Sequence, residues 1–214
     1  IILANLAFTN VDDFSCDVKE VDDTLSKVLE HASIYDTIYI VDLNITDEMA
    51  QKISQSELKD KIKIFDHHAS NEFLNKYPFI HVVVERNGLK ECGTTLFYEH
   101  LKNITGNEIF SKEVLKTMIE LVRQVDTFDF TDEIKELALD FGNLYNIYGR
   151  ENYIKHFIEY IKGHDTFKLD GIDDEYDDFE YDDFEEEEAS AAKASARKPV
   201  SSRETYEDSP KSRG

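Results

Sequence analysis

Two places in the 214-residue chain set acids and imidazoles at the end of an apolar run. Tyr39-Ile40-Val41 is followed by Asp42, and Ile64-Phe65 is followed by Asp66-His67-His68. In open α/β sheets ligands bind beyond the carboxyl ends of the strands. If the two runs are neighbouring strands, Asp42 and the histidine pair therefore share one rim, within reach of a common cation. Carboxylates together with imidazoles suit Mn²⁺, Zn²⁺ or Fe²⁺ better than Ca²⁺. A third candidate, Asp126, stands at the end of a helix in Val125-Asp126-Thr127-Phe128. Each residue has a plainer reading when taken singly. An aspartate after a strand is usually a turn or helix cap, and a histidine pair on a loop is usually just solvated. Asp-His-His straight after a buried strand is much less common, and it is the conjunction that points to metal chemistry.

Elements able to position these residues follow from the patterning. Apolar residues at Ile1, Leu3, Leu6 and Ala7 suit the end of a helix, with a short strand near 13–18 after it. Leu25, Val28 and Leu29 mark a helix begun by the cap signals Asp22-Asp23-Thr24. Thr37–Val41 has no polar alternation and reads as a central parallel strand covered on both faces. Thr46–Ser56 reads as a helix capped by Thr46, Ile62–Phe65 as a second buried strand, and His81–Glu85 as a third. A Gly-Thr-Thr opening predicts a helix from Thr95 to about Asn103, and a stripe of Val114, Leu115, Met118, Ile119 and Val122 predicts another over Lys112–Val125. Alternating strands and helices require crossover connections, so the expected fold is α/β, a parallel sheet flanked by helices. Helical patterning continues through Ile134–Phe141 and Tyr153–Ile161.

Charge is distributed unevenly. The formal total is −22, yet residues 170–188 hold thirteen acids and no base, whereas 189–214 hold six bases against three acids. The total alone therefore does not exclude nucleic acid, because an acidic site that loads divalent cations reads the same way. The acidic tract, punctuated by Tyr176, Phe179, Tyr181 and Phe184, is expected to stay disordered, as is the Ala/Ser/Lys/Arg-rich tail beyond it. Cys16 and Cys92 make no disulfide framework in a chain of this size, and reduced thiols in a cytoplasmic protein are expected. No apolar run approaches the length of a membrane span, no secretory leader is read, and no membrane partner is expected.

Ile64-Phe65-Asp66-His67-His68 resembles the name-giving motif of the DHH phosphoesterases, the superfamily of RecJ-like exonucleases, nanoRNA and pAp phosphatases, cyclic-dinucleotide phosphodiesterases and family II pyrophosphatases. Val41-Asp42 is similar to the family's aspartate at a strand end some two dozen residues earlier. Cys92-Gly93-Thr94-Thr95-Leu96 is similar to its small-Thr helix start, and Arg123–Phe128 to its Asp-Thr-aromatic segment. The resemblance covers residues 1–130 and leans toward the nanoRNase-like oligoribonuclease branch. It implies a metal-dependent phosphodiesterase acting on short single-stranded oligonucleotides or small nucleotides. Manganese is the implied metal, with Mg²⁺ or Co²⁺ as substitutes. Asp42 would bridge two ions while His67 and Asp126 each ligate one; Asp66 would orient a histidine, and His68 would meet the substrate phosphate or assist the leaving group. Two such cations activate a water and clamp an in-line displacement at phosphorus.

The chain departs from the family pattern at both ends. A His and two Asp residues on a loop after the family's first strand have no counterpart here, and Ile1–Phe8 reads like the helix that should follow them. Three ligands are expected to hold one cation weakly rather than two, with catalysis by this chain reduced or absent. Residues 131–169 read as a helical segment or linker without the family's glycine-rich substrate loop. His156 and His164 there read as ordinary helix or loop residues. The alternative function is a degenerate, non-catalytic binding protein that docks on a basic partner through the acidic tail of 170–214.

Overall fold

A computed structural model describes residues 1–168. The acidic tract and the tail, and with them the disorder and the partner expected there, lie outside the described residues.

The two apolar runs that end in chemistry-bearing residues are adjacent strands. β1 (Ile38–Val41), β2 (Ile62–Asp66) and β3 (Ile80–Val82) pair in parallel in that order, with Ile40 opposite Ile64, Val41 opposite Phe65 and Asp66 opposite Val82. Period-two alternation then sorts the side chains. Ile38, Ile40, Ile62, Ile64, Ile80 and Val82 share one face, where they pack with Val21, Leu25, Ala50 and Ile53. Those last four come from α2 (Val21–Glu30) and α3 (Asp47–Ser54). Tyr39 and Phe65 lie on the opposite face against Phe97 and His100 of α4 (Gly93–Thr105). Helices on both faces of a parallel sheet are what βα crossovers require, and the α/β expectation holds.

Several boundaries differ from the sequence reading. The strand expected near 13–18 is absent; a helical turn at Val18–Glu20 stands there instead and leads into α2. Asp22 does not cap α2. Its carboxylate accepts from the backbone and hydroxyl of Thr46, fixing the residue that caps α3 through Met49 N at 3.2 Å. The strand expected to be central, β1, is an edge strand among the described residues, and all four of its residues are only half-buried. The central position belongs to β2. The third strand ends at Val82, because β2, its partner, ends at Asp66. Glu85 instead starts a small hairpin, β4 (Glu85–Arg86) with β5 (Leu89–Lys90), around Asn87 and Gly88, both at positive φ. An Asn-Gly pair is the usual hairpin turn, since both positions favour left-handed backbone.

The helical remainder packs on this layer. α1 (Ile2–Ala7) rests on α4, and α5 (Glu113–Thr127) packs against α6 (Lys135–Gly163). α6 breaks at Gly149, whose φ of 67° and ψ of 162° suit glycine alone. Phe141, Phe157 and Ile161 bury its inner side, so the segment set apart from residue 131 is part of the packed body. No helix among the described residues is long and apolar enough to cross a membrane.

Candidate metal centre

Asp42 is the first residue beyond β1. Its amide still donates to the Phe65 carbonyl at 2.8 Å, and then the chain turns sharply, with φ at 67°. Bending at this point points the carboxylate across the strand end instead of along it. The turn leaves no room above the backbone. A Cβ on Gly93, at the start of α4, would lie 2.7 Å from the Asp42 nitrogen and 2.8 Å from its Cα. Glycine is thus required for α4 to begin against the site. Gly93→Ala is expected to displace Asp42 and weaken binding of a divalent cation at this site about tenfold or more. Calorimetric titration of Mn²⁺ beside a circular dichroism spectrum that retains the native signal would check this.

His67 stands between two carboxylates from different elements. Its Nε2 is 3.1 Å from Oδ1 of Asp42 and 3.2 Å from Oδ2 of Asp126, the latter on the last turn of α5. Both of those oxygens are buried, and neither receives a hydrogen bond of acceptable geometry. Burial, and next the facing Asp126 carboxylate, push the Asp42 carboxyl above the usual carboxylate range, although His67 and His68 pull it back. Buried acceptors left without donors beside an imidazole nitrogen are what a cation would satisfy. Neighbouring ligand atoms on an octahedral ion with bonds of about 2.1 Å lie about 3 Å apart, close to both His67 distances. Among the described residues the group able to surround an ion is Asp42, His67 and His68, whose ligand atoms lie within 4.8 Å of one another. Asp126 reaches that group through His67. Carboxylate and imidazole donors together suit a first-row divalent cation such as Mn²⁺, Zn²⁺ or Fe²⁺.

Asp66 has a different task. It is fully buried and accepts from Asn44 Nδ2 at 3.1 Å, Asn71 Nδ2 at 2.7 Å and the amides of His67 and His68 at 2.8 and 3.3 Å. His68 Nδ1 lies 2.6 Å from the same carboxylate. Burial works to raise the Asp66 pKa, but the hydrogen bonds from Asn71, His68 and Asn44 outweigh it and hold the carboxyl below its ordinary range. The bond to Asp66 in turn raises the His68 pKa. Asp66 therefore fixes the ring by its Nδ1–H and leaves Nε2 directed elsewhere, while Asn44 and Asn71 hold Asp66 itself. Neither asparagine stands out in the sequence; their positions three and five residues past a strand end are ordinary loop positions.

The loop after Asp126 is also anchored. Arg123, nearly buried, donates to Glu120 Oε1 at 2.6 Å, to Asp129 Oδ2 at 3.1 Å and to the Lys90 carbonyl at 3.4 Å. Gln124 accepts from the Thr131 amide at 3.1 Å. Both belong to the Asp-Thr-aromatic segment, but the sequence gives neither side chain a role, because buried polar residues on an amphipathic helix look like its solvent face. His156 and His164, by contrast, stack on tyrosines of α6: His156 on Tyr148 and Tyr160, and His164, the residue just past the helix, on Tyr160. Both thiols are free; Cys92 caps α4, and burial pushes its pKa up to about 11.

The chain is 26% identical over 142 residues to the oligoribonuclease NrnB of Bacillus subtilis (strain 168), a stretch that takes in 65% of this chain and 35% of that protein. The chain thus spans about a third of that relative's length. No family model matches the chain. No solved structure matches it either.

Proposed function

We propose that this chain is the cation- and phosphate-handling part of a Mn²⁺-dependent phosphodiesterase that hydrolyses short oligoribonucleotides. One observation carries the reading: two buried carboxylate oxygens without donors, on Asp42 and Asp126, flank His67 Nε2 from separate elements. The similarity to an oligoribonuclease supports the substrate class, and the likeness of Asp66-His67-His68 to the DHH motif supports the chemistry. Asp42, His67 and Asp126 would hold the cation. When bound, such an ion supplies Lewis-acid activation of water and neutralises charge at phosphorus. Asp66 holds His68 in one tautomer, with Nδ1–H on the carboxylate, and favours its protonated form. Cationic His68 would pass its Nε2 proton to the ester oxygen as the P–O bond breaks, while the water oxygen forms the new bond to phosphorus and gives up its proton to solvent. Among the described residues the donor atoms suffice for one cation, so slow turnover is expected.

The test is hydrolysis of 5′-labelled di- to pentaribonucleotides by the full 214-residue chain, with pyrophosphate as a second substrate. Release of mononucleotides with Mn²⁺, none with a chelator and no pyrophosphate turnover is the expected outcome. Oligonucleotides left intact in Mn²⁺, or cleaved equally well in chelator, would refute the function.

A further inference from the structure

Three non-glycine residues among those described adopt positive φ. Asn87 needs no account beyond its hairpin turn, and Asp42 aims a carboxylate into the site. The third is Phe128, at φ 52° and ψ 29°, immediately after α5. Left-handed backbone at a helix end is common, but it is glycine that fills it without cost; a bulky aromatic there is an outlier. Nor does burial compensate the ring. Phe128 is 82% exposed, the highest value among the large apolar side chains described. A strained backbone and a solvated ring are both unfavourable to the fold, and nothing the ring touches within it offsets them.

Its position supplies a reason. Phe128 follows Asp126 by two residues, so their Cα atoms are at most about 7 Å apart. That span is comparable to the one between a nucleotide's phosphorus and its base. The loop is held in place by Arg123 on Asp129 and by Gln124 on Thr131, which fixes where the ring is presented. A cation is held at the preceding residue: Lys90 Nζ, on the hairpin, is 3.4 Å from the carbonyl of Thr127. Exposed aromatic rings next to cationic side chains are how proteins grip single-stranded nucleic acid, since every base has a face to stack and every link a phosphate to pair.

We propose that Phe128 is the base-stacking platform of the site, receiving the base next to the scissile phosphate, with Lys90 beside it for the adjoining phosphate. This rests on the phosphodiesterase reading above and names the substrate contact that reading lacks.

The test compares binding of a diribonucleotide carrying 2-aminopurine with that of its abasic analogue, in the full chain with Mn²⁺, for wild type, Phe128→Gly and Phe128→Trp. Stacking of one base corresponds to roughly tenfold or more in affinity. Wild type is expected to quench the 2-aminopurine and prefer the dinucleotide about tenfold over the abasic analogue. Phe128→Gly should lose the quenching and that preference, and Phe128→Trp should restore both. Phe128→Gly should also melt roughly 2 °C higher than wild type, because glycine relieves the left-handed backbone; a loss of binding in a more stable protein cannot be misfolding. If wild type binds and cleaves the dinucleotide while Phe128→Gly keeps quenching and preference unchanged, the platform is refuted and the function stands. If wild type neither binds nor cleaves it, both are refuted.

Discussion

His67→Ala is expected to lower metal-dependent hydrolysis about a thousandfold while leaving the fold intact. The magnitude follows from the several kcal/mol that a catalytic cation contributes to the transition state. His67 is the side chain that reaches both Asp42 and Asp126, at 3.1 and 3.2 Å, from the end of the central strand. Without it the two carboxylates lose the imidazole between them, and Asp42, already driven above the usual carboxylate range by burial and by Asp126, becomes harder to ionise. A cation would then meet fewer donors and less charge. The ring takes no part in the apolar cluster beneath the sheet, so circular dichroism and melting temperature should change little. A variant with the activity of wild type would remove His67 from the site.

Asp66→Ala should act on the fold first. The carboxylate is fully buried and is the shared acceptor for Asn44, Asn71, two backbone amides and the His68 ring. Hydrogen bonds to a charged acceptor contribute about 1.5–3 kcal/mol each, and the donors left behind in a buried pocket carry a further desolvation cost. Water entering the space vacated by the carboxylate would recover part of this, which leaves an expected loss of about 4 kcal/mol. In a chain of this size that corresponds to a melting temperature lower by roughly 10 °C. The sign with pH is set by the direction of the Asp66 shift. A carboxyl held below its ordinary pKa contributes stability at pH values above about 4, and loses it as acid protonates the folded state. The gap between wild type and Asp66→Ala should therefore be full near pH 7 and shrink as the pH falls below about 4. Thermal melts across that range measure it, and a gap that does not depend on pH would mean the buried charge contributes nothing.

Much of this arrangement was legible in the residues, and the parts that were not have physical causes. The end of β2 was readable because a buried apolar run stops abruptly at three polar side chains, and β1 was readable for the same reason. That β1 lies at an edge among the described residues was not readable. Ile38–Val41 is apolar and β-branched whether a neighbour covers it or not, and composition does not report which strands pair. Val83 and Val84 prolonged the third strand in the sequence reading, because β-propensity runs on where pairing stops; a ladder ends with its partner, here at Asp66. The Asn87-Gly88 turn was present in the sequence and was masked by that run. The contact of Gly93 with the Asp42 backbone depends on α4 beginning against the end of β1, which no local pattern encodes; the anchoring of the Asp126 loop by Arg123 and Gln124 is short-range, but a buried polar side chain on α5 reads like its solvent face. Phe128 appeared only as the aromatic of an Asp-Thr-aromatic segment. Its exposure and left-handed backbone, which give it meaning, are properties of the fold.

If Asp42, His67 and Asp126 hold a divalent cation, calorimetric titration of Mn²⁺ into the full chain will register it. Saturable binding of one Mn²⁺ per chain, lost in His67→Ala with the circular dichroism spectrum unchanged, is the predicted result. A wild-type chain with no saturable Mn²⁺ binding, or a His67→Ala chain that binds as tightly as wild type, would contradict it.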